Sequence, residues 1–284
     1  MSGAIPFEDF GGQGPLLHFA HPNAYPPAVF RPLLERLTTS FHVIAVHHRP
    51  LWPSSDPAEF EEWQLIAGDL AHFLDQYGCP QVIGVGHSLG AVATLKAAWQ
   101  RPELFSKLVL IEPVFLDPQI LQWAEANPHL NEQSPMVRTA RRRRSHWPDR
   151  RAAFEHFRPK NVFARWSDES LWAYVNGALT DTENGEVTLA FSREWEAQIY
   201  AQLPTGVWED IPRAPQPTLA IRGAESDTLS AAAWQLWQEL QPHTTFLEIA
   251  EAGHMVPMER PREVALAIEQ FLYAGDREQA EQPT

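Results

Sequence analysis

The chain has 284 residues, a length that allows one large α/β domain or two smaller domains. Hydrophobic residues make up 44% and charged residues 20% of the sequence, which is typical of globular proteins and excludes wholesale disorder. The formal net charge of −14 disfavours general nucleic-acid binding, because an acidic surface is repelled by a phosphate backbone. The single cysteine, Cys79, excludes disulfides within the chain and thiolate zinc sites.

Targeting signals are not evident in the sequence. The first ten residues, MSGAIPFEDF, have no basic region followed by an apolar one, so we expect no secretory signal. No apolar stretch reaches the roughly 18 residues of a transmembrane helix, so we expect no stable membrane insertion. We predict a cytoplasmic monomer or homodimer that acts on a small molecule and does not bind nucleic acid.

Six short apolar segments rich in Val, Ile and Leu recur along the chain. Each lacks the alternation of a half-exposed strand, which is the pattern of parallel strands buried on both faces. The segments are Leu16–Ala20, Phe41–Val46, Val82–Val85, Leu108–Ile111, Thr218–Ile221 and Phe246–Ala250. Stretches with helical spacing lie between or after them, at Glu59–Tyr77, Ala91–Gln100, Ala231–Leu240 and Arg262–Tyr273. This order predicts an α/β protein with a mostly parallel, doubly wound sheet.

The alternation is interrupted between residues 115 and 215. This part has no strand-like segment of the earlier kind and holds six of the eleven tryptophans, namely Trp123, Trp147, Trp166, Trp172, Trp195 and Trp208. We interpret it as a mostly helical cap, or lid, inserted into an α/β core made of residues 1–114 and 216–274. Residues 275–284 are polar and charged, which predicts a flexible C-terminal tail.

The sequence Gly86-His87-Ser88-Leu89-Gly90 has the form G-x-S-x-G between a predicted strand and a predicted helix. This is the setting of a nucleophile elbow, a tight turn that lifts a serine hydroxyl above the C-terminal edge of the sheet. The crowded turn requires small flanking residues, which Gly86 and Gly90 supply. We therefore predict that Ser88 is a catalytic nucleophile; the alternative is a serine that only caps the helix.

A serine nucleophile needs a histidine base and a carboxylate that orients the histidine. His254 follows the last strand-like segment, in a loop that can reach back over Ser88, and it is the predicted base. If the order is serine, acid, histidine, the acid follows the fifth strand-like segment, where Asp227 is our choice. Glu225 is the near alternative, and Glu112, at the end of the fourth segment, is a more distant one.

An oxyanion hole needs two backbone N–H groups near the nucleophile. One is expected from Leu89, the residue after Ser88. The other is expected from the loop after the first strand-like segment, where Asn23 has an N–H and Pro22 has none. An ordinary turn is the alternative for that loop, since proline and asparagine are common in turns.

Together these features resemble the α/β-hydrolase fold superfamily, and in particular its serine esterases and lipases with a helical cap. The resemblance extends from about residue 16 to residue 272, and its specific parts are the elbow GHSLG and the later GHMVPMERP. In that family a His-Gly pair precedes the oxyanion residue, where this chain has His21-Pro22. The family acid lies three residues after a glycine, whereas Asp227 lies four residues after Gly223.

The resemblance implies a serine hydrolase that cleaves a carboxylic ester through an acyl-enzyme, with no metal and no other cofactor. An apolar acyl or aromatic substrate is expected, with His87, Phe115, Met136 and Met255 in its pocket. Thioester, lactone and carbon–carbon bond hydrolysis use the same triad and stay open. A ligand-binding receptor on a hydrolase fold is the alternative of another class.

Two charged or polar clusters have simple alternatives to a binding role. The segment Arg138–Arg151 has seven arginines and one aspartate, which could attract an acidic substrate, but the solvated face of a cap helix is the favoured interpretation. A group of five histidines lies between residues 18 and 48, at His18, His21, His42, His47 and His48. Their spacing matches no common metal motif, so no metal site is expected there.

Overall fold

A computed structural model describes residues 4–280, and for residues 275–280 it describes the backbone alone. Seven strands form one sheet in the order β1-β3-β2-β4-β5-β9-β10, and three short strands form a second sheet in the order β6-β8-β7. The strands are β1 Phe7–Gly11, β2 Leu16–Ala20, β3 His42–Val46, β4 Val82–His87, β5 Phe105–Ile111, β6 His146–Trp147, β7 Leu179–Asp181, β8 Val187–Leu189, β9 Thr218–Gly223 and β10 Thr245–Ile249.

All six predicted strands are present within a few residues of their predicted ends. They pair in parallel, whereas β1 pairs antiparallel with β3 at the edge of the sheet. Strand β1 has no counterpart among the predicted strands. Its residues, FEDFG, are exposed or half exposed and include two acids and a glycine, so the strand lacks a continuous apolar pattern.

Helices connect the strands and cover both faces of the large sheet. They are α1 Arg31–Leu37, α2 Gln64–Tyr77, α3 Leu89–Gln100, α4 Pro118–Ala126, α5 Pro128–Asn131, α6 Pro135–Arg142, α7 Arg150–Phe157, α8 Asp168–Ala178, α9 Arg193–Ala201, α10 Val207–Asp210, α11 Ala231–Leu240, α12 Val256–Glu259 and α13 Pro261–Ala280. Buried side chains of α2, α3 and α11 form one apolar core, and those of α1, α8 and α13 form another on the opposite face. The doubly wound α/β arrangement predicted from the sequence is confirmed.

Residues 115–215, called the insertion below, lie between β5 and β9. They contain helices α4 to α10 and also the small sheet of β6, β7 and β8, and their role as a cap stays a prediction. These strands have only two or three residues each, too few to produce a readable apolar pattern.

At the C-terminus, α13 continues to Ala280, so the predicted tail begins as helix; residues 281–284 lie outside the described residues. Within the described part of the chain, no helix combines the length and apolarity that a bilayer span requires.

Candidate active site

Ser88 occupies the sharp turn between β4 and α3. Its backbone has φ 57° and ψ −118°, a conformation that residues with a side chain rarely adopt. The Ser88 N–H donates a hydrogen bond to the carbonyl of Ile111 at 3.0 Å and ties the turn to β5. A Cβ atom on Gly86 would lie 2.4 Å from the Gly90 carbonyl, and one on Gly90 would lie 2.0 Å from the Ala20 carbonyl. The strained turn is therefore held by both neighbouring strands and requires these two glycines.

His254 lies within hydrogen-bond distance of the Ser88 side chain. It is in the loop between β10 and α12, and its Nε2 atom is 3.0 Å from Ser88 Oγ. Its Nδ1 atom is 3.0 Å from a carboxylate oxygen of Glu112. Because a carboxylate accepts and a hydroxyl can donate, this arrangement suits a ring with its proton on Nδ1 and a free lone pair on Nε2. The serine and the histidine are brought together as predicted.

Glu112 directly follows β5 and has no exposed surface. Its Oε1 atom accepts a hydrogen bond from the Gly223 N–H at 2.7 Å, and Oε2 accepts one from Ser226 Oγ at 2.6 Å. With the bond to His254, the buried carboxylate accepts three hydrogen bonds, which offset the loss of its hydration. The backbone of Glu112 is also unusual, because its φ of 48° lies in the left-handed region that residues with a side chain rarely adopt.

Asp227 is not the partner of His254, and the structure corrects that choice. Asp227 is exposed, and its side chain accepts a hydrogen bond from the neighbouring Thr228 Oγ1 at 3.4 Å. Glu225 is also exposed and accepts a bond from Arg165. The loop after β9 points both acids outward, and contributes Ser226 to the site instead. The signal for Glu112 in the sequence is that this acid directly follows a predicted buried strand.

The two predicted oxyanion donors lie on segments that touch each other. Leu89 is the first residue of α3, and the Asn23 loop follows β2. The carbonyls of Ala20 and His21 lie 2.0 and 2.7 Å from where a Cβ of Gly90 would be, so the loop is packed onto the elbow. Among residues 4–280, neither the Leu89 N–H nor the Asn23 N–H has a hydrogen-bond acceptor. Both donors are available, and the oxyanion role stays a prediction.

A stacked pair of buried histidines, His21 and His48, holds the Asn23 loop. Their ring centroids are 4.0 Å apart. The His48 N–H donates to His21 Nε2 at 3.1 Å, and His48 Nε2–H donates to the His21 carbonyl at 2.9 Å. Burial lowers the pKa of His48 to about 3 and the pKa of His21 well below its usual value. Both rings are therefore neutral at physiological pH, and the pair fixes the backbone path beside Ser88.

The structure does not bring the four predicted pocket residues together. His87 and Phe115 have no exposed surface, so neither borders a space that admits water. His87 Nε2–H instead donates to the His254 carbonyl at 2.9 Å and supports that loop from below. Phe115 packs against two tryptophan rings in the core. Met255 is buried, whereas Met136 is 56% exposed on α6.

A polar cluster from the insertion lies over the Asn23 loop. The Arg143 guanidinium donates to a carboxylate oxygen of Glu196 and, at 2.9 Å, to the Tyr174 hydroxyl. Asn23 Nδ2 donates to the Glu196 carbonyl at 3.2 Å, and the rings of Tyr25 and Tyr174 are 5.4 Å apart. Burial, followed by the nearby Tyr174, raises the pKa of Tyr25 well above its usual value, so its hydroxyl stays protonated. None of these residues except Asn23 is among the site residues predicted from the sequence, where an apolar lining is expected.

The fold and the elbow agree with the sequence comparison. Residues 16–267 match the alpha/beta hydrolase family. The chain therefore belongs to the alpha/beta hydrolase family and is a hydrolase by class.

Individual relatives extend over nearly the whole chain. A 2-(acetamidomethylene)succinate hydrolase from Mesorhizobium japonicum is 28% identical over 269 residues, which are 93% of this chain and 90% of that protein. A crystal structure of E-2-(acetamidomethylene)succinate hydrolase is similar with a TM-score of 0.78 and 25% identity, covering 94% of each chain. A thermophilic esterase from Thermogutta terrifontis, solved with malate bound, has the same fold with a TM-score of 0.70 and 18% identity, over 95% of this chain and 93% of that one.

Proposed function

We propose that this protein is a serine hydrolase that transfers an acyl group from its substrate to Ser88 and then to water. One observation carries the proposal: Glu112, His254 and Ser88 form a continuous series, with 3.0 Å from Glu112 Oε2 to His254 Nδ1 and 3.0 Å from His254 Nε2 to Ser88 Oγ. These distances are within reach for proton transfer and for orientation of the imidazole.

Acylation begins when Ser88 Oγ attacks the substrate carbonyl carbon while His254 Nε2 takes the hydroxyl proton. The Nδ1–H bond to Glu112 holds the ring in the required tautomer and stabilises the imidazolium that forms. The negative charge on the former carbonyl oxygen is stabilised by the N–H groups of Leu89 and Asn23. As the tetrahedral intermediate collapses, the leaving group departs with the proton from His254 Nε2. Water then attacks the acyl-enzyme carbonyl and gives a proton to His254 Nε2. The bond between the acyl carbon and Ser88 Oγ breaks, the acid product leaves, and His254 returns the proton to Ser88 Oγ.

The substrate we propose first is a carboxylic ester with a short or medium acyl chain. A second candidate is an amide, because the relative from Mesorhizobium japonicum is named for a substrate with an acetamido group. Both candidates present a carbonyl carbon to Ser88 and a leaving group to His254, so the same steps apply. Thioesters and lactones fit these steps as well; a C–C substrate would need a different leaving group.

The test is hydrolysis of a 4-nitrophenyl ester series from acetate to palmitate, together with 4-nitroacetanilide as the amide. Ser88→Ala is the matched blank for every substrate. We expect turnover that is lost in Ser88→Ala, with a loss limited by the background rate, because removing a triad serine reduces kcat by about 10⁶-fold. Equal rates in the two proteins, together with no labelling of Ser88 by a fluorophosphonate probe, would refute the proposal and favour a ligand-binding receptor.

A further inference from the structure

The surface of the insertion carries an open depression, called the cavity below, whose lining residues other than Arg143 are all exposed. It has a volume of about 430 Å³ and lies between α6 and the segment that follows α7. Its lining residues are Pro135, Arg138, Thr139, Arg142, Arg143 and Lys160. Four of these six residues are basic and none is acidic, in a chain whose formal net charge is −14. The cavity is therefore a local concentration of positive charge on an acidic protein.

Most of this positive charge has no carboxylate partner in the described part of the chain, although Arg138 donates to the Gln133 carbonyl and Lys160 lies over the Phe157 ring. Arg143 forms an ion pair with Glu196. In the part of the chain that the structure describes, Arg138, Arg142 and Lys160 have no carboxylate within salt-bridge distance. Burial, and then the positive charges of Arg143 and Arg144, lower the pKa of Lys160. A cation repelled by its neighbours is the sign of a site in which an anion would restore the charge balance.

The arginines of this segment differ in their pairing. Arg150 pairs with Asp181 and Arg151 pairs with Glu155, whereas Arg138, Arg141, Arg142 and Arg144 have no carboxylate within salt-bridge distance in the described part of the chain. Arg138 and Arg142 are four residues apart in α6, so they lie on the same helix face, and both line the cavity with Arg143 and Lys160. A group of guanidinium and ammonium donors in a concavity matches the oxygen atoms of a carboxylate or a phosphate.

Arg143 connects the cavity to the Ser88 site. It lines the cavity, and its guanidinium also contacts the Tyr174 hydroxyl and Glu196. The Glu196 carbonyl accepts the hydrogen bond from Asn23 Nδ2, in the loop that is packed against the elbow. One arginine thus separates the cationic cavity from the polar cluster over the predicted oxyanion hole.

We propose that this cavity binds an anionic group, a carboxylate or a phosphate, of the molecule on which the Ser88 site acts. The inference rests on the proposed function for that site. It defines the substrate class as an acyl compound with a negatively charged group remote from the scissile bond. Positive potential at this position draws such a substrate toward the site, whereas the acidic remainder of the surface repels it.

The experiment combines a direct binding measurement with a kinetic one. Calorimetry on Ser88→Ala protein measures the binding of succinate and of inorganic phosphate, which separates the two kinds of anion. Kinetics compare mono-4-nitrophenyl suberate, whose carboxylate is separated from the scissile carbonyl by a long methylene chain, with 4-nitrophenyl nonanoate, which is neutral and similar in size. Arg142→Gln and Lys160→Gln are the test variants. Arg141→Gln is the matched control, because Arg141 is an exposed residue of the same helix that does not line the cavity.

We expect at least one anion to bind, and Arg142→Gln to weaken its Kd by about tenfold, as the loss of one charge-assisted hydrogen bond implies. The ratio of kcat/KM for the anionic ester over the neutral ester should fall by a similar factor, and Arg141→Gln should leave that ratio unchanged. The inference is overturned if neither anion binds, or if Arg141→Gln has the same effect as Arg142→Gln. Anion binding without hydrolysis of either ester would instead refute the ester chemistry and leave the anion site standing.

Discussion

Replacement of Glu112 by glutamine tests the role of the carboxylate most directly. Glu112 accepts hydrogen bonds from the Gly223 N–H at Oε1, and from Ser226 Oγ and His254 Nδ1 at Oε2. The Gly223 N–H can only donate, so glutamine must keep its carbonyl oxygen there and turn its NH₂ group toward His254. Two donors then face each other unless the imidazole moves its proton from Nδ1 to Nε2.

An imidazole with its proton on Nε2 cannot accept the proton of Ser88. We therefore expect Glu112→Gln to lower kcat by about 10⁴-fold, as the change of a triad carboxylate to its amide does elsewhere, which corresponds to about 5 kcal/mol in the activation barrier. Stability should fall by about 1–3 kcal/mol, because glutamine has the same shape but the Ser226 hydroxyl, which already accepts from the Thr228 and Leu229 N–H groups, loses its acceptor. The measurements are kcat on the best ester of the series, the rate of fluorophosphonate labelling of Ser88, and Tm.

Asp227→Asn is the matched control, since it makes the same chemical change on an exposed side chain that does not contact His254. We expect its activity to stay within about twofold of the unchanged protein, as is usual for an exposed residue outside a site. If Asp227→Asn lost activity and Glu112→Gln kept it, the assignment of Glu112 as the triad acid would be refuted.

Two further predictions concern residues that hold the backbone around the site, Gly90 and His48. Gly90→Ala should destabilise the protein by about 1–3 kcal/mol and lower Tm, because its Cβ would lie 2.0 Å from a backbone oxygen, whereas Gly68→Ala, in open space on α2, should raise stability by about 0.5–1 kcal/mol. His48 has a folded-state pKa of about 3 against about 6.5 when unfolded, so the unfolded chain binds more protons between these values. As the pH drops from 6.5 toward 3, His48 should therefore lower the free energy of unfolding by about 1.4 kcal/mol per pH unit, in addition to the contributions of His18, His21 and His87, whose pKa values burial also lowers. His48→Gln should remove the His48 part of the slope in pH-dependent thermal unfolding.

The same experiments contain the outcomes that would contradict these predictions. A Gly90→Ala protein with unchanged Tm would mean that the loop after β2 can move away from the elbow. For the histidine, the control is His243→Gln, at an exposed position for which the pH dependence of stability should persist. If His48→Gln and His243→Gln gave the same pH dependence, burial of a neutral His48 would not be the cause.

Much of the fold could be predicted because its strands, its helices and the elbow depend on short segments of sequence. The six parallel strands appear as apolar segments, although β10, at the edge of the sheet, is only partly buried. The elbow appears as two glycines around Ser88 between a strand and a helix. Strand β1 and the small sheet of the insertion could not be predicted, since half-exposed or two-residue strands leave no apolar pattern. The prediction of the pocket residues has a different weakness. A side chain such as Phe115 can face the core or a cavity with the same local sequence.

The sequence by itself determined the class of fold, the strained turn at Ser88 and the histidine that follows the last strand. These depend on local properties, namely apolar periodicity, small residues at a tight turn and order along the chain. Only the tertiary structure decided which carboxylate contacts His254. In the sheet, β5 lies directly beside β4, with β9 beyond it, so the end of β5 brings Glu112 under His254 while Asp227 remains exposed beyond β9. The order of strands in a sheet results from packing between segments that are far apart in the sequence, and so does the approach of Arg143 to the Asn23 loop. A local sequence pattern does not contain this information.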